Sequence, residues 1–166
     1  IDQIREVDRM IDERTRQKGM KRPSMRYLHS SLSSNEQQKV FIPGAAKIIL
    51  STNIAETSVT IPDVKFVIDT GREKQFSMLD DSANEDWMSV VGSQLKLSNI
   101  SQASAQQRSG RAGRISAGTC YRLYSRDTHD NEFAPYTKPE MLRVDLSQMI
   151  LHSLSMYQPE SGKPLD

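Results

Sequence analysis

Residues 47–52 read KIILST, a short apolar run that ends in two hydroxyl side chains. A run of this length without polar alternation is typical of a strand that is buried on both faces of a parallel sheet. A second such run, KFVIDT at residues 65–70, ends at Gly71. Helical signals lie between the predicted strands. We therefore expect an α/β fold with a mostly parallel sheet, whose ligand-binding loops lie at the carboxyl ends of the strands.

Other segments add helices, strands and one excursion from the core. Ser33 and Glu36 have the spacing of a capping box for a helix that reaches Val40. Residues 72–98 show no helical period and predict a β-hairpin with its turn near residues 80–85, whereas residues 158–166 resemble a tail or linker. The remaining predictions are a helix from residue 1 to about Gly19, strands at 26–31 and 120–124, a helix at 104–114, and a closing helix marked by Leu146, Met149, Ile150 and Leu154.

Bulk composition narrows the possible classes of protein. The 166 residues are enough for one compact domain, and 36% hydrophobic with 26% charged residues argues against disorder. The net charge of +1 excludes an overall basic field, so any nucleic-acid role must depend on local placement. A single cysteine, Cys120, and three widely spaced histidines indicate neither a disulfide framework nor a metal site. No apolar run approaches the ~20 residues of a membrane span, and we expect a protein of the cytoplasm or nucleus without membrane association.

Residues 107–114 read QRSGRAGR and carry the strongest chemical signal. On a helix with about 100° per residue, Gln107, Arg111 and Arg114 share one narrow arc and Arg108 lies off it. Two guanidiniums beside an amide suit a triphosphate under hydrolysis, because the cations stabilise the transferring phosphoryl group and the amide orients water. The alternative is a solvated basic helix in which Ser104 and Gln107 form a plain capping box.

Residues 51–61 read STNIAETSVTI and follow the first predicted strand. Hydroxyl and amide groups at the carboxyl end of a strand can bond phosphate and sugar oxygens without selecting a base. The alternative is a polar loop that contains a capped helical turn at Ser51 or Thr52.

The two segments together resemble motif VI and motif V of superfamily 2 helicases of the DEAH/RHA group. Residues 28–32, LHSSL, resemble another segment of that family, and all three stand in the family's order over essentially the whole chain. DEAD-box proteins fit less well, since they typically carry His at the position of Gln107 and Thr at that of Ala112.

The resemblance implies a RecA-like three-layer sandwich with an inserted β-hairpin at residues 72–98. Residues 1–157 would be the second RecA-like lobe (the helicase C-terminal domain) without its first strand, and residues 158–166 would lead to a winged-helix domain. ATP, or another NTP, and Mg²⁺ would be bound mainly by the first lobe, because neither a GxxxxGK[ST] pattern nor a DEAH sequence occurs here. We therefore expect this segment to be inactive by itself.

The resemblance also assigns roles to the residues of motif VI. It implies that Arg111 and Arg114 reach the γ-phosphate, at least one of them as an arginine finger. It implies that Gln107 positions the hydrolytic water.

In motif V, the resemblance implies that Thr52 and Asn53 touch the RNA backbone, and that Ser58 and Thr60 face the nucleotide or the first lobe. Where Pro62 stands, many family members have an Asp that bonds the ribose of the nucleotide. In this sequence the Asp comes one position later, so the resemblance assigns the ribose contact to Asp63 with that shift.

The resemblance implies RNA, the first lobe and possible accessory or activator proteins as partners. Two alternatives to the helicase motor remain open: an inactive lobe that serves as an RNA- or protein-binding scaffold, and a DNA helicase of a neighbouring branch. Four further expectations concern side chains: Phe66, Tyr121 and Tyr124 in the core, and Arg143 beside a following winged-helix domain.

Overall fold

The computed structural model describes residues 2–44, 46–57, 59–78, 93–143 and 146–156. The described residues of 1–73 and 99–137 form one compact unit, and those of 74–98 and 138–166 form another. The elements in chain order are α1 Asp2–Gln17, β1 Ser24–Leu28, α2 Ser34–Gln38, β2 Lys47–Ser51, α3 Ile54–Thr57, β3 Phe66–Asp69, β4 Arg72–Met78, β5 Ser93–Asn99, α4 Gln102–Ser109, β6 Thr119–Arg122, a π-helical turn Thr128–Glu132, a 3-10 turn Glu140–Leu142 and α5 Ser147–Met156.

Two parallel strand pairs lie in the first unit. β1 pairs with β2 so that Leu28 lies opposite Ser51, and β3 pairs with β6 so that Asp69 lies opposite Arg122. Along the chain α2 lies between β1 and β2, and α4 lies between β3 and β6, in keeping with the long connections that parallel strands need. The prediction of an α/β fold with mostly parallel pairing is therefore confirmed.

The segment predicted as a hairpin contains two strands. β4 and β5 lie side by side in a separate antiparallel pair. The predicted turn at residues 80–85 lies outside the described residues, so the hairpin itself stays a prediction. In the second unit Arg143 donates from Nη1 to Gln75 Oε1 and to the backbone oxygen of Phe76, both at 3.2 Å, so its guanidinium is bonded to β4.

Local capping signals explain where the helices begin and end. The Ser33 hydroxyl accepts from the Glu36 N–H, and the Glu36 carboxylate accepts from the Ser33 N–H, which confirms the capping box. The helix ends at Gln38, before the predicted Val40. The predicted helix 104–114 is wrong in its bounds. It begins after Ser101, whose hydroxyl caps the N–H of Ser104, and Gly110 follows its last residue.

The aromatic residues of β3 and β6 correct a second expectation. Phe66 and Tyr121 were expected in the core, but 65% and 53% of their surface is exposed, and their rings lie 6.3 Å apart. Alternation along a strand places Phe66 and Val67 on opposite faces, and Arg108 of α4 bonds Asp69, which shares the face of Val67. Tyr124 does pack against the buried cluster of Ile100, Ala105 and Phe133, as expected. No helix of the described residues is both long enough and apolar enough to cross a membrane.

Candidate functional site

The carboxyl end of β2 passes directly into a polar loop. The Ser51 hydroxyl and the Thr52 N–H both donate to the Leu28 carbonyl, at 3.0 and 3.1 Å, which fixes the loop at its start. The carbonyls of Thr52 and Asn53 accept from the backbone of α3, while their side chains are exposed. The alternative interpretation expected a capped helical turn at Ser51 or Thr52; the helical turn in the structure is α3, which begins at Ile54, and the side chains of Thr52 and Asn53 before it are exposed.

Arg111 lies against the backbone of this same loop. Its Nη1 donates to the Val59 carbonyl at 2.9 Å, and its Nη2 donates to the Glu56 carbonyl. Burial lowers the pKa of Arg111, and the charge of Arg114 lowers it further, against the opposite effect of the Glu56 carboxylate. The remaining donor, Nε, is buried without a hydrogen-bond partner among the described residues. The guanidinium is thus half-buried and held in place by neutral carbonyls, with no carboxylate bonded to it in the described part of the chain.

Arg114 contacts the far end of the loop. Its Nη1 donates to the Thr60 hydroxyl at 2.7 Å, and both residues are exposed. Asp63 is exposed as well and has a φ of 61°, a left-handed conformation that Asp adopts more readily than most residues. Residue 58, a serine, lies outside the described residues.

The three residues of the predicted helical arc are not arranged as expected. Gln107 lies on α4 with an exposed side chain, whereas Arg111 and Arg114 lie on the turn that follows. Gly110 ends the helix and Gly113 has a φ of 82°, so the chain leaves the helical path between them. Arg111 and Arg114 are brought together by Glu56 in α3 and by Val59 and Thr60 after it, together called loop 56–60, rather than by one helix face. No hydrogen bond among the described residues joins Gln107 to either arginine.

A buried ion-pair cluster is the feature that the sequence pattern missed. Arg108 Nε lies 2.9 Å from Glu56 Oε2, and Nη1 lies 3.0 Å from Asp69 Oδ1. Nη2 lies 3.9 Å from Glu73 Oε2, and Nη1 also donates to the Arg72 carbonyl at 3.2 Å. Burial would lower the pKa of Arg108, but its bonds to Glu56 and Asp69 outweigh burial and raise that pKa. Its position off the predicted arc was the available sign that Arg108 faces the domain interior.

Asp69 connects this cluster to the core. Its Oδ1 accepts from the Gly71 N–H at 3.0 Å as well as from Arg108, and its Oδ2 accepts from the Tyr124 hydroxyl at 2.9 Å. Burial raises the pKa of Tyr124, and the bond to Asp69 raises it further. The carboxylate is therefore satisfied on both oxygens, as a buried charge requires.

The charges around the loop suit an anionic ligand. Among the described residues, Arg111 and Arg114 are hydrogen-bonded to neutral carbonyl and hydroxyl groups rather than to carboxylates. Guanidiniums in such an arrangement bind phosphate oxygens well. Within the described ranges no group of three or more His, Cys, Asp or Glu side chains could hold a metal ion.

Known proteins share this fold and this segment of sequence. The family model described as helicase conserved C-terminal domain matches residues 2–116. ATP-dependent RNA helicase DHX29 of Mus musculus is 46% identical over 142 residues, which cover 84% of this chain and 10% of that protein. Probable ATP-dependent RNA helicase DHX34 of Homo sapiens is 49% identical over 132 residues, which cover 78% of this chain and 11% of that protein.

A solved structure agrees in fold. The crystal structure of the E. coli DExH-box NTPase HrpB matches with a TM-score of 0.74 at 30% sequence identity, covering 93% of this chain and 18% of that one. The chain therefore has a RecA-like α/β fold, and β1–β2 and β3–β6 are parallel strand pairs of that fold. The chain belongs to the helicase conserved C-terminal domain family, in its DExH-box superfamily 2 branch. It spans about a tenth of the length of the curated relatives that it matches.

Proposed function

We propose that this chain is the second motor lobe of an ATP-dependent RNA helicase, in which NTP hydrolysis is coupled to movement along RNA and to unwinding. One observation carries the proposal: the loop of residues 52–60 has exposed polar side chains at its start and bonds Arg111 and Arg114 at its end. A single short segment therefore connects a surface suited to nucleic acid with a surface suited to a triphosphate.

Arg111 and Arg114 are the proposed cations for the γ-phosphate, and Gln107 the proposed group for orienting water. The bonds of both arginines to loop 56–60 support this role, because a guanidinium that is already held in place stabilises transition-state charge without reorganising. The exposure of Gln107 leaves its amide accessible. The first RecA-like lobe would hold Mg²⁺ and most of the nucleotide. Ser58, Thr60 and Asp63 are the proposed residues that border the nucleotide.

Thr52 and Asn53 are the proposed RNA contacts. Their exposed side chains follow β2 at the carboxyl end of a parallel strand, where α/β proteins bind ligands. A hydroxyl and an amide can bond phosphate and sugar oxygens, which predicts little preference for base sequence. The names of the RNA helicase relatives favour RNA over DNA as the nucleic acid.

The test uses the full-length protein that contains this segment. Replacement of Arg111 or Arg114 by Ala should lower ATP turnover by roughly 10³-fold or more, the loss typical of a missing arginine finger. RNA affinity should change little. Arg9→Ala is the matched control, since that arginine is exposed and pairs only with Glu6 at 2.7 Å among the described residues.

Variants of Thr52 and Asn53 test the proposed RNA contacts. Thr52→Ala and Asn53→Ala should weaken RNA binding and RNA-stimulated turnover, with little change in turnover without RNA. Normal hydrolysis by the arginine variants together with lost RNA binding would contradict the assignment and favour a scaffold.

A further inference from the structure

Glu56 is bonded to two arginines of the same motif by different atoms. Its carboxylate lies 2.9 Å from Arg108 Nε, and its backbone carbonyl accepts from Arg111 Nη2. The side chains of Arg108 and Glu56 are only 14% and 10% exposed. Any displacement of the Glu56 backbone therefore moves one of the two carbonyl acceptors of Arg111.

Arg108 also fixes α3 relative to the strand that follows. It contacts Asp69 at the carboxyl end of β3 and the Arg72 carbonyl at the start of β4. The Asp69 carboxylate is fully buried and is itself held by Tyr124 and the Gly71 N–H. α3 has only four residues, too few to be stable by itself, so its position depends on such tertiary contacts.

We propose that Arg108 is a positioning residue for hydrolysis: through its ion pair with Glu56 it fixes the carbonyl that orients Arg111. This inference rests on the proposed function, because it assumes that Arg111 acts on the nucleotide. Arg108 itself, turned toward buried carboxylates, does not touch the nucleotide.

If Arg108 had a purely structural role, its replacement would lower the stability of the domain and leave the turnover of each folded molecule unchanged. A buried ion pair contributes little net stability relative to apolar groups, although removing one partner alone is strongly destabilising. Arg108→Ala could therefore fail to fold. Glu56→Gln and Arg108→Lys are gentler changes, since the first keeps the shape of the side chain and the second keeps the charge while losing the fork of donors that contacts Glu56 and Asp69 together.

The experiment uses the full-length protein and compares both variants with control variants of the same residue types in an exposed ion pair. Glu56→Gln and Arg108→Lys should each lower kcat for ATP by about tenfold to a hundredfold, the range expected when a reacting group is misplaced by about 1 Å. KM for ATP should stay within about threefold, because an interaction made mainly in the transition state affects kcat. Glu6→Gln and Arg9→Lys change the same residue types in an exposed pair and should leave both constants unchanged.

Thermal melting gives the folded fraction of each variant, and RNA affinity checks that the folded molecules still bind RNA. The kcat is then expressed per folded molecule. A kcat per folded molecule equal to that of the unchanged protein would overturn the inference. A double-mutant cycle adds an independent check: in an Arg111→Lys background, Glu56→Gln should lower kcat by less than about twofold, since residues that act through one another are not additive. Full additivity would also overturn it.

Arg111→Ala separates this inference from the proposed function. If Arg111→Ala hydrolyses ATP normally, the proposed function fails and this inference fails with it. If Arg111→Ala is inactive while folded Glu56→Gln and Arg108→Lys turn over normally, only the positioning role is wrong.

Discussion

The guanidinium of Arg114 donates a hydrogen bond of 2.7 Å to the hydroxyl of Thr60, a residue 54 positions earlier in the chain. Arg111, three residues before Arg114, bonds the carbonyl of Val59, which precedes Thr60. Two consecutive contacts therefore join the arginine turn to the loop. With the role proposed for both arginines, changes in the loop should affect hydrolysis even where they touch no nucleotide.

Thr60→Val should reduce ATP turnover of the full-length protein by roughly threefold to tenfold. The replacement keeps the shape of the side chain but removes the acceptor for Arg114, and one hydrogen bond contributes about 1 kcal/mol. Thr60→Ser keeps the hydroxyl and serves as the control in steady-state ATPase assays. Equal turnover by the two variants would show that the hydroxyl does not hold Arg114.

Gln107→Ala should lower ATP turnover at least about tenfold without changing the melting temperature, because a poorly oriented nucleophile reacts slowly and the side chain is exposed. Gln106→Ala is the matched control, being an exposed glutamine on the same helix. ATPase rates and thermal denaturation of both variants provide the measurement. Indistinguishable rates would remove Gln107 from the candidate site.

Gly71→Ala should destabilise the domain by about 3 kcal/mol, measured by chemical denaturation. Gly71 has a φ of 70°, and an added Cβ would lie 2.6 Å from Tyr124 Cδ1 and 2.9 Å from Phe133 Cζ. Gly19→Ala separates the two effects, since Gly19 has a φ of 63° and nothing within 4 Å of an added Cβ. That control should cost only about 1 kcal/mol. Similar losses for both variants would mean that the core relaxes around the new methyl group.

Tyr124→Phe should make the domain less sensitive to alkaline pH. Burial raises the pKa of Tyr124 above the ordinary value of about 10, so the folded state holds the phenol proton more tightly than the unfolded chain. Its stabilising contribution is therefore full below pH ~10 and is lost as the pH rises through the folded pKa. Melting temperatures from pH 8 to pH 12 should fall more steeply for the unchanged protein than for the variant. Parallel curves would contradict this prediction.

Much of the fold was predictable from local pattern. Apolar runs at residues 47–52 and 65–70 predicted strands within one residue of β2 and β3, because a short uninterrupted apolar run is typical of a strand in a parallel sheet. The cover expected on both faces was wrong for β3, where Phe66 and Ile68 are exposed. The capping box at Ser33 and the end of α1 near Gly19 were also recognisable, since capping depends on a few adjacent residues.

The site was less predictable, because its contacts join distant parts of the chain. The helical arc grouped Gln107, Arg111 and Arg114, yet Gly110 ends the helix and the two arginines meet backbone carbonyls and a hydroxyl of loop 56–60. Periodicity contains no information on such acceptors. The partners of Arg108 lie 52 and 39 residues away, and only the folded chain brings them together.

The two faces of the β3–β6 pair differ in how exposed their side chains are, and this difference affects how the isolated domain behaves in solution. One face carries Phe66, Ile68 and Tyr121, and Leu123 follows directly after β6; each of the four is more than half exposed. An apolar patch of this kind promotes contact between identical molecules in solution. Preparations of the isolated domain should therefore self-associate as they are concentrated, and a detergent or a polar replacement on this face should keep them monomeric.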